Sequence, residues 1–340
     1  MMARLALAAL IALSLAAGDG VKGSQPMSGR YGEPEVMQFR DGKTGAFSMV
    51  FDDSMLSQAD TVIPLLNARG LVGTFFVNPG SERYQQRRET WEVICPRFGH
   101  ELANHTWKHE GAKDLAEADF EIGESSRHIW KLYPHRSKLL VFARGGATTW
   151  GVSREQIEEI MRRYYLVRRP RSFTMSDEDG TAATITSFPE RAIAERTWVA
   201  VHFHGVGGEW ISTNAQAFVT LLDFLVSHRD QLWVAGETAG YKYQQEYQAL
   251  SQVKLVEPSE RSFAVTLECD PSKVETFGRP FAELYDEPLT VRVRVPASWA
   301  RFEVRQGERV QKGEAVVRDG ERWAQFEVLP NAGAAAVTAH

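Results

Sequence analysis

The 340-residue sequence predicts an α/β protein in which a closed or nearly closed (β/α) barrel is followed by a small antiparallel β-sandwich. The barrel is predicted by short apolar runs that alternate with amphipathic helical patterns, seven such runs being found as far as residue 236. The sandwich is predicted because, from about Leu250, polar and apolar residues alternate with no helical pattern between the runs.

The barrel strands are predicted from runs rich in β-branched and aromatic residues, bounded by Gly, Asn, Asp or a helix. In chain order they are 46–52, 73–78, 100–105, 138–144, 165–169, 196–204 and 232–236. Helical patterns are found at 57–70, where Gly70 ends the helix, at 87–99 as far as Pro96, and at 115–134, 153–164 and 214–230. An open doubly wound sheet is the alternative, but no G-x-G-x-x-G follows the first strand.

The last segment, 250–340, contains period-two runs separated by Gly, Pro and Asp. The runs are 262–269, 288–296, 301–307, 313–320 and 323–330. Their number and spacing predict a separate accessory domain, a β-sandwich that is immunoglobulin-like in size and carries no catalytic groups.

The N-terminus predicts export. Arg4 precedes an apolar stretch, Leu5–Ala17, and small residues follow, which is typical of a secretory signal peptide over residues 1–18. We therefore expect a secreted or periplasmic protein. No later apolar run reaches the ~18 residues that a membrane helix needs, so no integral membrane segment is expected after cleavage. Residues 19–43 form a lead-in segment, in which the polar, Gly/Pro-rich residues 20–35 predict poor order.

The formal net charge of −5 and the absence of a Lys/Arg-rich run argue against a nucleic-acid partner. The densest basic stretch, 162–171, favours solvated arginines at a helix end and a strand over a phosphate site. Cys95 and Cys269 are the only cysteines. Export would permit a disulfide between them, and two buried free thiols are an equal alternative.

Ionisable side chains follow several of the predicted strands. In a (β/α) barrel the active site is built at the carboxyl ends of the strands, so these side chains are expected on one rim. They are Asp52 and Asp53 at the end of the first strand, His105 at the end of the third with His109 four residues later, Arg144 at the end of the fourth and His204 at the end of the sixth.

An isolated pair of histidines four residues apart is more often structural than metal-binding. A carboxylate on the same rim changes this, because two imidazoles and one carboxylate suit Zn²⁺, Co²⁺ or Fe²⁺ and leave positions open for water and substrate. We therefore predict a divalent metal site formed by Asp53, His105 and His109. The neighbouring Asp52 would remain free to take a proton from water.

Five stretches in this order resemble the polysaccharide deacetylases with a NodB-like homology domain. They are SMVFDDS (48–54), GLVGTFFVN (70–78), GHELANHTWKHE (99–110), VFARGGA (141–147) and WVAVHFHGVGG (198–208). The resemblance covers roughly residues 44–245 and places a catalytic domain at 44–247. It implies a deformed (β/α)7 barrel, a Zn²⁺-type metal and hydrolysis of N- or O-acetyl groups on carbohydrate.

The resemblance also implies roles. It assigns Asp52 as general base, Asp53, His105 and His109 as metal ligands, and His204 as general acid, and Arg144 would orient Asp52. His202 has the same strand parity as His204 and is expected to lie buried beneath it.

The sequence departs from the family pattern at two motifs. Gly145 and Gly146 stand where prolines usually follow the arginine, so the backbone N–H for the oxyanion is assigned only provisionally, to Ala147. The residues of the fourth motif are not identifiable, and Asp177 and Asp179 are candidates. Trp107 is expected either in the core or as a platform for a sugar ring.

The sequence thus predicts an exported metal-dependent hydrolase that removes N- or O-acetyl groups from a carbohydrate polymer or oligosaccharide. One alternative is a carbohydrate-binding member of the same fold with low activity, because two motifs are altered. The other is a hydrolase of linear C–N bonds in non-sugar amides.

Overall fold

The computed structural model describes residues 31–176 and 181–340. The predicted signal peptide, 1–18, and the fourth-motif candidates Asp177 and Asp179 therefore lie outside the described residues. None of the helices in the described ranges is long and apolar enough to cross a membrane.

The described chain alternates strands and helices as far as residue 249 and continues in strands. The strands are β1 (Glu35–Val36), β2 (Gly45–Asp52), β3 (Thr74–Val77), β4 (Glu101–Asn104), β5 (Leu140–Phe142), β6 (Leu166–Arg168), β7 (Phe173–Thr174), β8 (Trp198–Phe203), β9 (Leu232–Val234), β10 (Leu250–Ser259), β11 (Ser262–Cys269), β12 (Leu289–Val295), β13 (Arg301–Gln306), β14 (Arg309–Glu314), β15 (Val316–Arg318), β16 (Glu321–Val328) and β17 (Ala335–Ala339). The α-helices are α1 (Ile63–Arg69), α2 (Glu82–Gln86), α3 (Cys95–Arg97), α4 (Leu115–Leu132), α5 (Arg154–Arg163), α6 (Ala182–Ala194), α7 (Ala215–Ser227) and α8 (Glu237–Ala249).

A parallel sheet forms the first part of the fold. Its order is β6-β5-β4-β3-β2-β8-β7, and β9 pairs with the first half of β2 while β3 pairs with the second half. All seven predicted strands are present, and the short β7 is an addition. The curled parallel sheet fits a deformed barrel, and no ladder joins its end strands β6 and β7 within the described residues.

The two faces of this sheet differ in what covers them. Along β2, Phe47, Met49 and Phe51 belong to one apolar cluster with the helices, while Ala46 and Val50 belong to a second cluster on the inner face. Successive side chains of a strand alternate between faces. Residues of even number on β2 therefore point inward, and the last of them is Asp52.

The helices largely follow the predicted patterns. A π-helical turn at Gln58–Val62 leads into α1, which ends at Gly70 with φ 58°, a left-handed conformation that glycine adopts without steric cost. The second predicted helical stretch ends at Arg97, one residue past Pro96, because a π-helical turn at Thr90–Ile94 continues into α3. Helices α2, α6 and α8 were not predicted.

The C-terminal part consists of two antiparallel sheets, with orders β1-β12-β16-β15 and β10-β11-β17-β13-β14. Strand β1 comes from the lead-in segment and pairs with β12, and Tyr31 and Phe39 are buried. The expectation of poor order is therefore wrong for residues 31–35, because burial of the Tyr31 ring and pairing of β1 with a sheet edge fix this part of the chain.

The apolar residues on the inner face of the barrel sheet and those of the C-terminal sheets form one cluster. Val50 and Trp233 of the barrel, Tyr243 of α8 and Val291 of β12 are members of one buried apolar cluster. The two parts are thus packed together through α8. Cys95 and Cys269 are both buried and free, so of the two alternatives the structure has free thiols.

Candidate active site

The turn after β2 brings two adjacent carboxylates to the same place. Asp52 is the last residue of β2 and faces inward, whereas Asp53 would face the opposite side on a continued strand. Asp53 instead has φ 75° and Ser54 has φ 49°, and the Ser54 hydroxyl accepts a 2.9 Å hydrogen bond from the Asn78 N–H. Left-handed backbone at two non-glycine residues is costly and persists where surrounding contacts fix it, commonly at functional sites.

The turn after β4 is held by its own polar side chains. Asn104 donates to the Ile122 carbonyl (2.8 Å) and accepts from the Thr106 N–H (2.8 Å). The Thr106 hydroxyl in turn accepts from the His109 N–H at 3.1 Å. These bonds fix a tight loop in which Thr106 and His109 both have positive φ, and they turn His105 and His109 toward Asp53.

Asp53, His105 and His109 present converging ligand atoms. The Asp53 Oδ1 lies 3.1 Å from His105 Nε2 and 3.4 Å from His109 Nε2. Two ligands at about 2.1 Å from one tetrahedral ion are about 3.4 Å apart, so this spacing fits a shared divalent metal. His105 Nδ1 lies 2.7 Å from the Ala143 carbonyl, to which it donates, and this leaves the Nε2 lone pair directed at the site.

The loop after β5 passes very close to His109. A Cβ built on Gly145 would lie 2.1 Å from His109 Nε2, whereas one built on Gly146 would meet nothing within 4 Å. The first glycine of the altered third motif is therefore required for space beside a candidate metal ligand.

Asp52 is buried and held by cations and imidazoles. Arg169 Nη1 lies 2.8 Å and 2.9 Å from its two oxygens, and His202 Nε2 lies 3.0 Å from Oδ2. Burial works to raise the pKa of Asp52, but His105, His202 and Arg169 hold that pKa well below its usual range. The carboxyl is therefore ionised at neutral pH.

The structure does not place Arg144 against Asp52, as the sequence analysis expected. Arg144 lies on the outer side of the β5 terminus, exposed, with its guanidinium 5.9 Å from the Trp150 ring. Arg169, just after β6, takes the position beside Asp52. The alternation of side chains along a strand could have identified Arg169 from the sequence. Val167 faces inward, and Arg169, two residues later, is expected on the same side.

His202 and His204 lie beside the carboxylates with ring centroids 4.6 Å apart. His204 Nε2 is 3.8 Å from Asp53 Oδ2, and burial together with His202 lowers the pKa of His204. His202 is buried as expected but also contacts Asp52 directly, a contact that the sequence analysis did not foresee. Asp52, His202 and His204 form a second group with metal-ligand spacing, but the guanidinium of Arg169 on Asp52 repels a second cation there.

Three side chains near this rim differ in exposure. Trp107 is half-buried against Phe120 and His128, with ring centroids 6.4 Å and 5.8 Å away. Ala147 is exposed in a turn with φ 53°. Trp210, which the sequence analysis did not single out, is 62% exposed, and its carbonyl accepts a hydrogen bond from the N–H of Gly205, next to His204.

One family model matches part of the chain. Residues 40–158 match the family model described as polysaccharide deacetylase. A gellan lyase from Bacillus sp. is 22% identical over 354 aligned residues, which cover 91% of this chain and 13% of that protein. The chain thus spans about an eighth of the length of this curated relative.

Solved structures that match part of the chain include the following three. A family 4 carbohydrate esterase from Streptomyces lividans in complex with acetate has a TM-score of 0.42 and 16% identity, over 57% of this chain and 93% of that one. A peptidoglycan deacetylase from Bacillus subtilis gives 0.43 and 16%, over 60% and 94%. A family 4 acetyl xylan esterase from Clostridium thermocellum in complex with a cobalt ion gives 0.42 and 18%, over 58% and 90%.

Proposed function

We propose that the chain, of which residues 40–158 match the polysaccharide deacetylase model, is an exported, metal-dependent hydrolase of N- or O-acetyl groups on a carbohydrate polymer or oligosaccharide. One observation carries the proposal. Three metal-ligand atoms, from Asp53, His105 and His109, converge beside a buried carboxylate, Asp52, that is kept ionised. A metal site next to an ionised base can activate a water molecule for attack on a carbonyl carbon.

Asp53, His105 and His109 are proposed to hold the ion. Imidazole nitrogens and one carboxylate oxygen suit Zn²⁺, and Co²⁺ is a second candidate. When bound, such an ion supplies Lewis acidity, which makes a water ligand more acidic and polarises the acetyl carbonyl. The hydrogen bond from His105 Nδ1 to the Ala143 carbonyl supports this assignment, because it fixes the ring orientation and the tautomer.

Asp52 is proposed as the general base. It takes a proton from the attacking water as the water oxygen bonds to the acetyl carbon. Arg169 holds the carboxylate through both oxygens, which keeps it ionised and oriented. His202, 3.0 Å from Oδ2, faces the same carboxylate and is proposed to stabilise its orientation.

His204 is proposed as the general acid. The bond from the acetyl carbon to the sugar nitrogen or oxygen breaks as a proton passes from His204 Nε2 to that leaving atom. The negative charge on the carbonyl oxygen requires a hydrogen-bond donor, and the Ala147 N–H is proposed for it. Trp107 and the exposed ring of Trp210 are proposed to contact sugar rings, since aromatic faces suit the apolar faces of pyranoses.

The domain division is proposed as a signal peptide at 1–18, a lead-in at 19–43, a catalytic domain at 44–247 and an accessory domain at 250–340. The two antiparallel sheets of the last segment support an immunoglobulin-like sandwich. Its packing against α8 supports a role in stabilising the barrel.

Acetate release tests this function. The full-length mature protein, loaded with Zn²⁺ or Co²⁺, is incubated with a panel of N- and O-acetylated glycans and with acetylated non-sugar amides. We expect acetate from at least one glycan, abolished by a chelator and restored by added metal. Acetate from the amides alone would replace the glycan assignment with the C–N hydrolase, and glycan binding without any acetate would indicate a binding protein.

A further inference from the structure

Three arginines line one cavity at the carboxyl ends of β5 and β6. The cavity has a volume of about 500 Å³ and is lined by Arg144, Arg154, Ile157 and Arg168. This volume is within the range of about 300–1,000 Å³ that is typical of small-ligand sites. The arginines come from separate elements: the loop after β5, the first residue of α5 and the last residue of β6.

The cavity has an excess of positive charge. Arg154 Nε and Arg168 Nη2 lie 3.0 Å and 2.9 Å from the same oxygen, Glu158 Oε1, so one carboxylate serves two guanidinium groups. Arg144 has no carboxylate within 4.0 Å among residues 31–176 and 181–340, and its only recorded partner is the Trp150 ring. Among the described residues, three guanidinium groups therefore line the space, and one carboxylate, that of Glu158, pairs with two of them.

The cavity adjoins the candidate metal site through the backbone. Arg144 lies between Ala143, whose carbonyl accepts from His105, and Gly145, which abuts the His109 ring. One residue of backbone therefore separates Arg144 from the contacts of both candidate histidine ligands, while its own side chain lies toward Trp150 on the outer side of β5. Guanidinium groups bind carboxylates and phosphates in bidentate geometry, which gives both charge and shape selection.

We propose that this arginine cavity is a subsite for an anionic substituent, a carboxylate or a phosphate ester, on the glycan chain next to the acetylated sugar. The inference rests on the proposed function for its position on the substrate path, but its anion-binding claim does not. It explains the exposed Arg144, which does not orient Asp52, and it makes the substrate an acidic glycan.

Anion binding is tested first, without any activity measurement. Arginine Nε–H signals of the full-length protein are followed by NMR during titration with glucuronate, inorganic phosphate or neutral glucose. We expect both anions, and not glucose, to shift the signals of Arg144, Arg154 and Arg168, and the tighter anion identifies a carboxylate or a phosphate source. Arg144→Ala should weaken binding about 10-fold, the loss expected for one charge-assisted hydrogen bond.

Arg162→Ala is the matched control, since Arg162 is an exposed arginine of α5 that does not line the cavity. It should leave anion binding unchanged. Shifts at the cavity that are no larger than at Arg162, or no anion binding at all, would overturn the subsite.

The position on the substrate path is tested with O-acetylated polygalacturonate and with the same polymer after reduction of its carboxyl groups. We expect a higher kcat/KM for the charged polymer, a preference that Arg144→Ala reduces about 10-fold and high salt weakens. If anions bind but the two polymers react equally, the cavity does not serve the substrate and the inference is wrong. If anions bind and no acetylated substrate reacts, the proposed function fails while the anion site stands.

Discussion

At the scale of single residues, the site depends on the face of the strand from which each side chain projects. Motif spacing was sufficient to predict that Asp53, His105 and His109 converge, because strand ends of a parallel sheet share one rim. It was not sufficient for the partner of Asp52. Arg144 has the parity of the outer face, so only Arg169 can reach the carboxylate.

Arg169→Met tests the residue that holds Asp52. We expect kcat to fall about 10–100-fold, as is usual when the partner of a catalytic group is removed, with the metal content unchanged. Because Arg169 helps to keep the pKa of Asp52 low, its loss should raise that pKa and move the acid limb of the pH–kcat/KM profile to higher pH.

Arg171→Met is the control, because Arg171 is exposed and lies two residues further along the same segment. It should change neither the rate nor the pH profile. If the Arg169 variant lost activity with an unchanged acid limb, Arg169 would have only a structural role.

At the scale of elements, the loop between β5 and α5 leaves space for the side chain of His109, a candidate metal ligand. The sequence analysis recognised that Gly145 and Gly146 alter the third motif, but only the folded loop shows why. Gly145 lies against the His109 ring, whereas Gly146 faces open space, and neither has a left-handed φ. The two glycines therefore differ in what surrounds them and not in backbone strain.

Gly145→Ala should displace His109 and weaken metal binding by about 10-fold or more, since a moved ligand loses its coordination geometry. Gly146→Ala should bind metal like the parent protein. The measurement is the dissociation constant for Zn²⁺ by competition with a chelating dye, with thermal unfolding as a check on the fold. Equal affinities in the two variants would show that His109 is not a ligand in this geometry.

Other elements were missed for physical reasons. Helix α6 contains Pro189, which interrupts a helical pattern in the sequence but is accommodated in the fold. Strand β7 has two residues and is recognisable only from its pairing with β8. Strand β1 has two residues and depends on a partner, β12, that lies more than 250 positions away.

At the scale of the whole molecule, the barrel and the C-terminal sheets are joined by a shared apolar cluster and by polar contacts of Asp286. Asp286 accepts from Lys242 of α8 (2.7 Å) and from the Ser137 N–H (2.8 Å). Lys242 is almost fully buried, so it depends on this carboxylate. The sequence predicted a separate C-terminal domain. It could not show the contacts of Asp286 with Lys242 and Ser137, because these residues lie far apart in the chain.

Asp286→Asn should lower the free energy of unfolding by about 1–3 kcal/mol, because it removes the ion-pair partner of a buried ammonium. Burial works to raise the pKa of Asp286, but Lys242 and Ser137 lower it overall. A carboxyl with a lowered folded-state pKa contributes stability that is complete above its unfolded pKa, about 3.9, and is lost as pH falls through the folded value. The difference between parent and variant should therefore shrink below about pH 4.

Denaturant unfolding at a series of pH values measures this difference. Glu283→Gln is the control, because Glu283 pairs with Arg279 on the exposed surface, and it should change stability by less than about 1 kcal/mol. A difference between parent and Asp286→Asn that stayed constant to pH 2 would exclude the ion pair as its source.

The division of labour between the two adjacent carboxylates is the central claim, and metal content measured together with acetate release tests it most directly. Asp52→Asn should retain about one divalent ion per chain and lose about 10²–10⁴-fold in rate, the contribution of a positioned general base. Asp53→Asn should bind the ion weakly and recover part of its rate when metal is added in excess. Loss of the ion in Asp52→Asn together with its retention in Asp53→Asn would contradict the account.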